Sequence, residues 1–305
     1  MGGYNDNYRS DYSRKEAKER KLRKEKLNLL FQNFSKKRDE SSLILVYKEF
    51  QKQIGHNFVG ELLKLDNKKL EKDFPGAEYE IKMRVNADFN SDNPDQFYFL
   101  DSIREKISIS KGFLPDNLEA YRRPSENFYY GRGNEDILVI MSGIEGYILK
   151  KKGVLENISL GIKNDEFIFK RSEHLKRKCS QEDVFKAIQK VTLEGAEYKG
   201  KILRNRSRID YLSTETGRLY EVVFDICDII KPKNKPFKKT QIEAEYLGHV
   251  PDLFKKFQQG SERQITLELL ALSDILMTVA KKVETHCGRI KSVVLTKERK
   301  YDFLI

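Results

Sequence analysis

The segment Glu78-Tyr79-Glu80-Ile81-Lys82-Met83-Arg84-Val85 alternates charged and apolar residues. In an extended strand, successive side chains point to opposite faces. One face therefore carries two carboxylates followed by two cations, and the other carries Tyr79, Ile81, Met83 and Val85. Far downstream, Gln241-Ile242-Glu243-Ala244-Glu245-Tyr246 repeats the carboxylate pair, with Glu243 and Glu245 on one face. Between them, Arg204-Asn205-Arg206-Ser207-Arg208-Ile209-Asp210-Tyr211 puts three arginines on one face, and Phe224-Asp225-Ile226 sets an acid in an otherwise apolar strand. Carboxylates are hard oxygen ligands suited to Mg2+ or Mn2+, and glutamates from two strands can hold such an ion with several waters retained. Opposing arginines and lysines bind polyphosphate oxygens, arginine bidentately. Metal and cations together neutralise charge developing on a transferred phosphoryl group. A water oriented by a carboxylate can then attack in line, without a covalent nucleophile.

These residues need strands to position them. An open sheet puts such a charged face in water, as an ordinary half-buried, self-neutralising surface. A closed barrel makes it a lumen, with the apolar faces outside and covered by helices. The chain has 305 residues, 39% hydrophobic and 34% charged, and a net charge of +11. That is enough for a sizeable core. The basic excess favours a polyanionic partner, a phosphate-rich substrate or nucleic acid, or else serves solubility alone. No apolar run reaches the roughly 18 residues of a membrane span. The opening residues lack the apolar stretch of a secretory signal. Cys179, Cys227 and Cys287 are too widely spaced for a disulfide framework or a zinc site. An intracellular location, cytoplasmic or nuclear, is expected.

In chain order, residues 1–26 read as a basic, partly disordered arm, with a solvated helix over Ser13–Leu29 and disorder in the first dozen residues. Residues 27–73 read as two or three amphipathic helices. The main domain, 74–305, opens with the Glu78 strand, followed by a loop over Asn86–Pro94 and a short helix over Gln96–Ile109. Pro115, Pro124 and Gly131–Gly133 mark irregular chain. Strands are predicted over Ile137–Met141, Gly146–Gly153, Ile158–Ile162, Glu166–Lys170, Tyr198–Tyr211, Leu219–Ile230, Thr240–His249 and Ser292–Leu295. Helices are predicted over Glu182–Val191 and Ile265–Val283, the latter with Ile265, Leu269, Leu272, Leu276 and Val279 on one stripe.

Four of these motifs, in this order, resemble the triphosphate tunnel metalloenzyme superfamily, the CYTH-like fold. Glu78-x-Glu80-x-Lys82 is similar to its E-x-E-x-K strand and Arg206-x-Arg208-x-x-Tyr211 to its K/R-x-R-x-x-Y strand. Asp225 falls where RNA triphosphatase members carry an acid, with Val223 and Cys227 in place of the neighbouring Arg and Thr. Glu243-x-Glu245 is similar to the late E-x-E strand. The resemblance covers about residues 76–250. It implies an α+β chain built on an eight-stranded antiparallel tunnel with packed helices. It also implies metal-dependent removal of a γ-phosphate, closest in motif layout to RNA 5′-triphosphatases of the mRNA capping type. Carried over by position, Glu78, Glu80, Glu243 and Glu245 would be catalytic metal ligands for Mg2+ or Mn2+, and Lys82, Arg206 and Arg208 would bind phosphate. Arg84, Arg204, Lys150, Lys152, Lys170, Arg171 and Lys201 are lesser phosphate-binding candidates. Capping or RNA-processing proteins would be its partners. The alternatives are a tripolyphosphatase or a thiamine- or nucleoside-triphosphatase, and a non-enzymatic RNA- or polyanion-binding module.

Overall fold

The computed structural model describes residues 6–52, 57–87, 112–132, 137–143, 146–254, 261–280, 282, 284–285 and 288–305. The period-two segments become the strands β1 (Ala77–Ala87), β2 (Phe113–Gly131), β3 (Ile137–Gly143), β4 (Gly146–Asn157), β5 (Ile168–Cys179), β6 (Glu197–Ser213), β7 (Arg218–Ile230), β8 (Phe237–His249), β9 (Glu284–Thr285) and β10 (Gly288–Leu295). Among the described residues they form one antiparallel sheet of ten strands, where the resemblance implied eight, in the order β5-β4-β3-β2-β6-β7-β8-β1-β10-β9. β1 has two partners along one edge: β5 over Ala77–Ile81 and β10 over Met83–Ala87. Its other edge pairs with β8, setting Glu80 opposite Glu245 and Lys82 opposite Glu243.

Among the described residues there are five α-helices. Asp39 caps α2 (Glu40–Phe50) by accepting from the Ser42 amide at 2.7 Å. Asn57 caps α3 (Phe58–Leu65), whose first two amides also donate to the buried Asp116 carboxylate at 2.8 and 2.9 Å. α1 (Asp6–Lys37) runs through the basic segment and on into the N-terminal helical layer. There Leu27, Phe31 and Phe34 pack with α2 and α3 on Leu114, Leu212 and Leu219 of the sheet. Ser180 and Asp183 form a capping box on α4 (Gln181–Leu193). The stripe of α5 (Glu262–Ala280) is buried against Tyr79, Ile81, Tyr220, Val222 and Ile242, the apolar faces of β1, β7 and β8. Burying such a stripe contributes on the order of 2 kcal/mol per large side chain. No described helix is long and apolar enough to cross a membrane.

Several sequence expectations differ from the structure. Residues 6–12, expected to be disordered, form the start of α1. Residues around Pro115 and Pro124 are not irregular chain but part of β2. Register shifts against β6 between Asp116 and Glu119, and between Glu119 and Arg123, interrupt the ladder near both prolines, which have no N–H to donate. Ile158–Ile162 is not a strand: the Asp165 carboxylate accepts from the Leu160 and Ile162 amides at 2.7 and 3.0 Å and holds the segment in a turn. The expected helix over 96–109, most of the loop before it, and Gly133 lie outside the described residues.

Candidate active site

With α5 covering the apolar side, the same strands turn their charged side chains to the opposite face. That face holds a belt in which acids and bases interleave. Lys82 is buried at 2% exposure. Its ammonium lies 2.7 Å from Glu80 and 3.1 Å from Glu243, so it joins the two glutamate strands. Arg171 of β5 sits 2.8 Å from Glu78 and 3.1 Å from Glu80, and Lys152 of β4 lies 3.2 Å from Glu78. On the far side of Glu243, Arg206 forms a two-pronged pair with the fully buried Asp225 at 2.7 and 2.8 Å and reaches Glu243 at 3.2 Å. Lys300 approaches the same two acids, at 2.8 Å from Asp225 and 2.7 Å from Glu243. A cavity of about 90 Å3 opens among these groups, lined also by Arg204, Lys150 and Glu245. Its polar walls can hold several waters or part of a phosphate chain.

Charge balance differs along the belt. Burial opposes ionisation of Glu80, yet Arg171 and Lys82 outweigh it and keep its carboxyl below the ordinary range. Burial likewise works against the charged form of Glu243 and is overcome by Lys300, Lys82 and Arg206. Asp225 is held well below the usual range by Arg206, then Lys300 and Arg204, again against burial. Glu245 goes the other way. Burial, then repulsion from Glu78 and Glu221, pushes it up to about 7, with Lys152 opposing. Among the described residues Glu245 makes no ion pair.

The folded chain therefore holds the Glu245 proton up to about pH 7, whereas an unfolded carboxyl releases it near 4.5. Stability from this group is complete below pH 4.5 and is lost as pH rises through about 7. Glu245→Gln, which cannot ionise, is expected to exceed the parent by ~3 kcal/mol at pH 8 and to match it near pH 4. Chemical denaturation at the two pH values measures this. A difference that does not change with pH would mean that Glu245 does not titrate there.

The belt gathers Glu78, Glu80, Lys82, Lys150, Lys152, Arg171, Arg204, Arg206, Asp225, Glu243 and Glu245. Arg208 stands at its edge, bound to Asp210 at 2.9 Å and Glu221 at 2.7 Å. Three candidates fall elsewhere. Lys170 is one residue out of phase and points to the other face, 2.9 Å from Glu262 of α5 and 5.6 Å from the Tyr79 ring centroid. Lys201, also out of phase, pairs with Glu126 at 3.3 Å. Arg84 keeps the right phase but is exposed beyond the belt, 4.0 Å from Glu298. Sequence reasoning missed Lys300, Arg299, Tyr301, Asn127, Tyr129 and Glu221. The only sequence signal for the first three was a basic-aromatic run, Arg299-Lys300-Tyr301, outside any period-two strand.

No protein-family model matches the chain. No curated protein matches it either. Several solved structures are similar. A conserved hypothetical protein from Pyrococcus furiosus shares 14% identity over 75% of this chain and 99% of its own, at a TM-score of 0.38. The PH1012 protein of Pyrococcus horikoshii shares 12% over 70% of this chain and 94% of its own, at 0.35. The Pct1 RNA triphosphatase of S. pombe shares 12% over 75% of this chain and 95% of its own, at 0.34. Scores and identities this low assign the chain to no family.

Proposed function

We propose that the chain is a divalent-metal-dependent triphosphate phosphohydrolase that removes the γ-phosphate, with an RNA 5′-triphosphate as its preferred substrate. The observation that carries this reading is the juxtaposition of Glu80, Lys82 and Glu243 in one buried cavity, ringed by Arg171, Arg206, Lys152 and Lys300. A polyphosphate entering this belt can take over the cations from their carboxylate partners, and each guanidinium can grip two phosphate oxygens. The pairing of β5 with β1, added to the linear strand order, supports a sheet curled into a tunnel around the belt.

A metal suits the donor chemistry. Glu245 faces Glu80 across the β1–β8 ladder and Glu221 across the β7–β8 ladder, close to Glu78, and makes no ion pair among the described residues, Lys152 acting on it only from farther away. A divalent cation there would supply the missing positive charge. Among the described residues no three Asp, Glu, His or Cys side chains already converge as a metal centre, because ammonium and guanidinium groups stand between the carboxylates. Mg2+ or Mn2+ held by Glu78, Glu80, Glu243 and Glu245 would neutralise phosphoryl charge. Lys82, Arg171 and Arg206 would bind and orient the phosphates.

The RNA preference is supported by α1, whose residues 16–26 are exposed and rich in Lys and Arg. Deleting residues 1–26 stops short of the buried Leu27 anchor. The deletion is expected to weaken binding of 5′-triphosphorylated RNA and flatten its salt dependence, since each lost cation–phosphate contact removes counterion release. Hydrolysis of inorganic tripolyphosphate should be nearly unchanged. The assay is phosphate release from triphosphorylated RNA, tripolyphosphate, ATP and thiamine triphosphate with Mg2+ or Mn2+, across a salt series. No release from any of them would overturn the hydrolase reading. An equal response of all substrates to truncation would favour a small-molecule triphosphatase.

A further inference from the structure

Lys300 reaches the belt described above from outside any strand. It belongs to the chain after β10, which passes along the sheet and folds into short turns: the Asp302 amide donates to the Arg299 carbonyl at 3.0 Å and the Leu304 amide to the Tyr301 carbonyl at 2.9 Å. Its approach is fixed by two bonds to the sheet. The Thr296 amide donates to the Lys82 carbonyl at 3.0 Å, and the Gln241 side chain donates to the Glu298 carbonyl at 2.9 Å. Tyr301, Phe303 and Leu304 are buried against Tyr129, Ile202 and Ile229 of the sheet. Two glycines make room for them. A Cβ at Gly131 would stand 2.4 Å from the Tyr301 hydroxyl, and one at Gly200 would stand 2.9 Å from a Leu304 methyl and 2.5 Å from the Ile230 carbonyl oxygen. The sheet is shaped to receive this turn.

An apolar turn could fill that space without a charge, and burying an ammonium is costly unless it is paired. Lys300 is nonetheless buried, with its ammonium inserted between Asp225 and Glu243, the acids that Arg206 holds from another strand. An ammonium has three donors, and these two acids occupy two of them. We propose that Lys300 is a phosphate-contacting residue of the cavity, delivered by the C-terminal turn, so that the site is complete only when this turn is docked. The proposal rests on the triphosphate reading of the cavity. On entry of a polyphosphate, Lys300 exchanges the Glu243 carboxylate for a phosphate oxygen, while Asp225 keeps the ammonium in place opposite Arg206.

The test is calorimetric titration of inorganic tripolyphosphate into the full chain without divalent metal, so that binding is read apart from hydrolysis. Lys300→Ala is expected to weaken binding about tenfold or more, and Lys300→Arg, which keeps the charge, to stay within about threefold of the parent. Leu304→Asp retains Lys300 but unseats the turn, and it is expected to weaken binding as much as Lys300→Ala. Should Lys300→Ala fail to fold, Asp225→Asn and Asp225→Asn/Lys300→Ala make the same comparison with the buried acid neutralised. Unchanged affinity in the lysine-less variant would make Lys300 a counter-ion only and overturn the proposal. Parent protein that binds no tripolyphosphate would overturn it together with the triphosphate reading. Lys300-dependent binding without phosphate release in the parallel Mg2+ assay would support the proposal and count against hydrolysis alone.

Discussion

Glu80→Ala is expected to lower metal-dependent phosphate release by roughly a thousandfold, because it removes a charged group from the centre of the site where transition-state charge must be balanced. The loss of stability should be much smaller, about 1–2 kcal/mol. Each partner of Glu80 keeps another acid: Lys82 retains Glu243 at 3.1 Å and Arg171 retains Glu78 at 2.8 Å. Turnover of tripolyphosphate at saturating Mg2+ or Mn2+, measured beside urea denaturation, separates the two effects. Near-normal turnover would remove Glu80 from the chemistry. A collapse of stability equal to the loss of activity would make its role structural.

Arg206→Met should show the opposite balance, with a stability loss of about 3–5 kcal/mol. Asp225 is fully buried and, among the described residues, would keep Lys300 at 2.8 Å and Arg204 at 3.9 Å. Arg206 also reaches Glu221 and Glu243, so its removal leaves three acids under-compensated. Asp225→Asn in the same chain should recover part of the loss, giving a double-mutant cycle that departs from additivity. The acid limb should move as well. In the parent, the depressed carboxyl of Asp225 contributes stability above its ordinary range near 3.8, and this is lost as pH falls through its lower folded value. Without Arg206 the folded carboxyl moves back towards its ordinary range, so this loss should be smaller and should end at a higher pH. Strict additivity together with an unmoved acid limb would contradict the pairing.

Period two made the belt legible from sequence. Glu78, Glu80, Lys82, Arg204, Arg206, Glu243 and Glu245 lie on strands whose alternation is uninterrupted, so phase alone assigns them to one face. The same rule fails at strand ends and bulges. Lys170 and Arg171 are adjacent, and only the pairing of Glu78 with Arg171 shows which one turns inward. β2 was hidden because its prolines read as breaks, and the register shifts that accommodate them carry no local signature. The repulsion on Glu245 comes from Glu78 and Glu221 of other strands, which spacing along one strand does not show, while Glu243 is surrounded by Lys82, Arg206 and Lys300. Lys300 itself could not be found by periodicity, because its position comes from a turn packed on Tyr129 and Ile202 rather than from a strand.

The two-partner edge of β1 bears on how the chain reaches this state during synthesis. β1 is made early, yet every strand it pairs with is made later: β5, then β8, then β10. The Lys82–Glu243 contact alone spans 161 residues. Contacts this remote make for slow folding, since a long loop must close before any of them forms. A nascent chain must therefore carry the alternating face of β1 with unpaired edges while most of the sheet is still being translated. Such a segment is aggregation-prone. The alternating charges of β1, two acids and two bases within seven residues, also keep that waiting strand hydrated and discourage it from pairing with a copy of itself on a neighbouring ribosome.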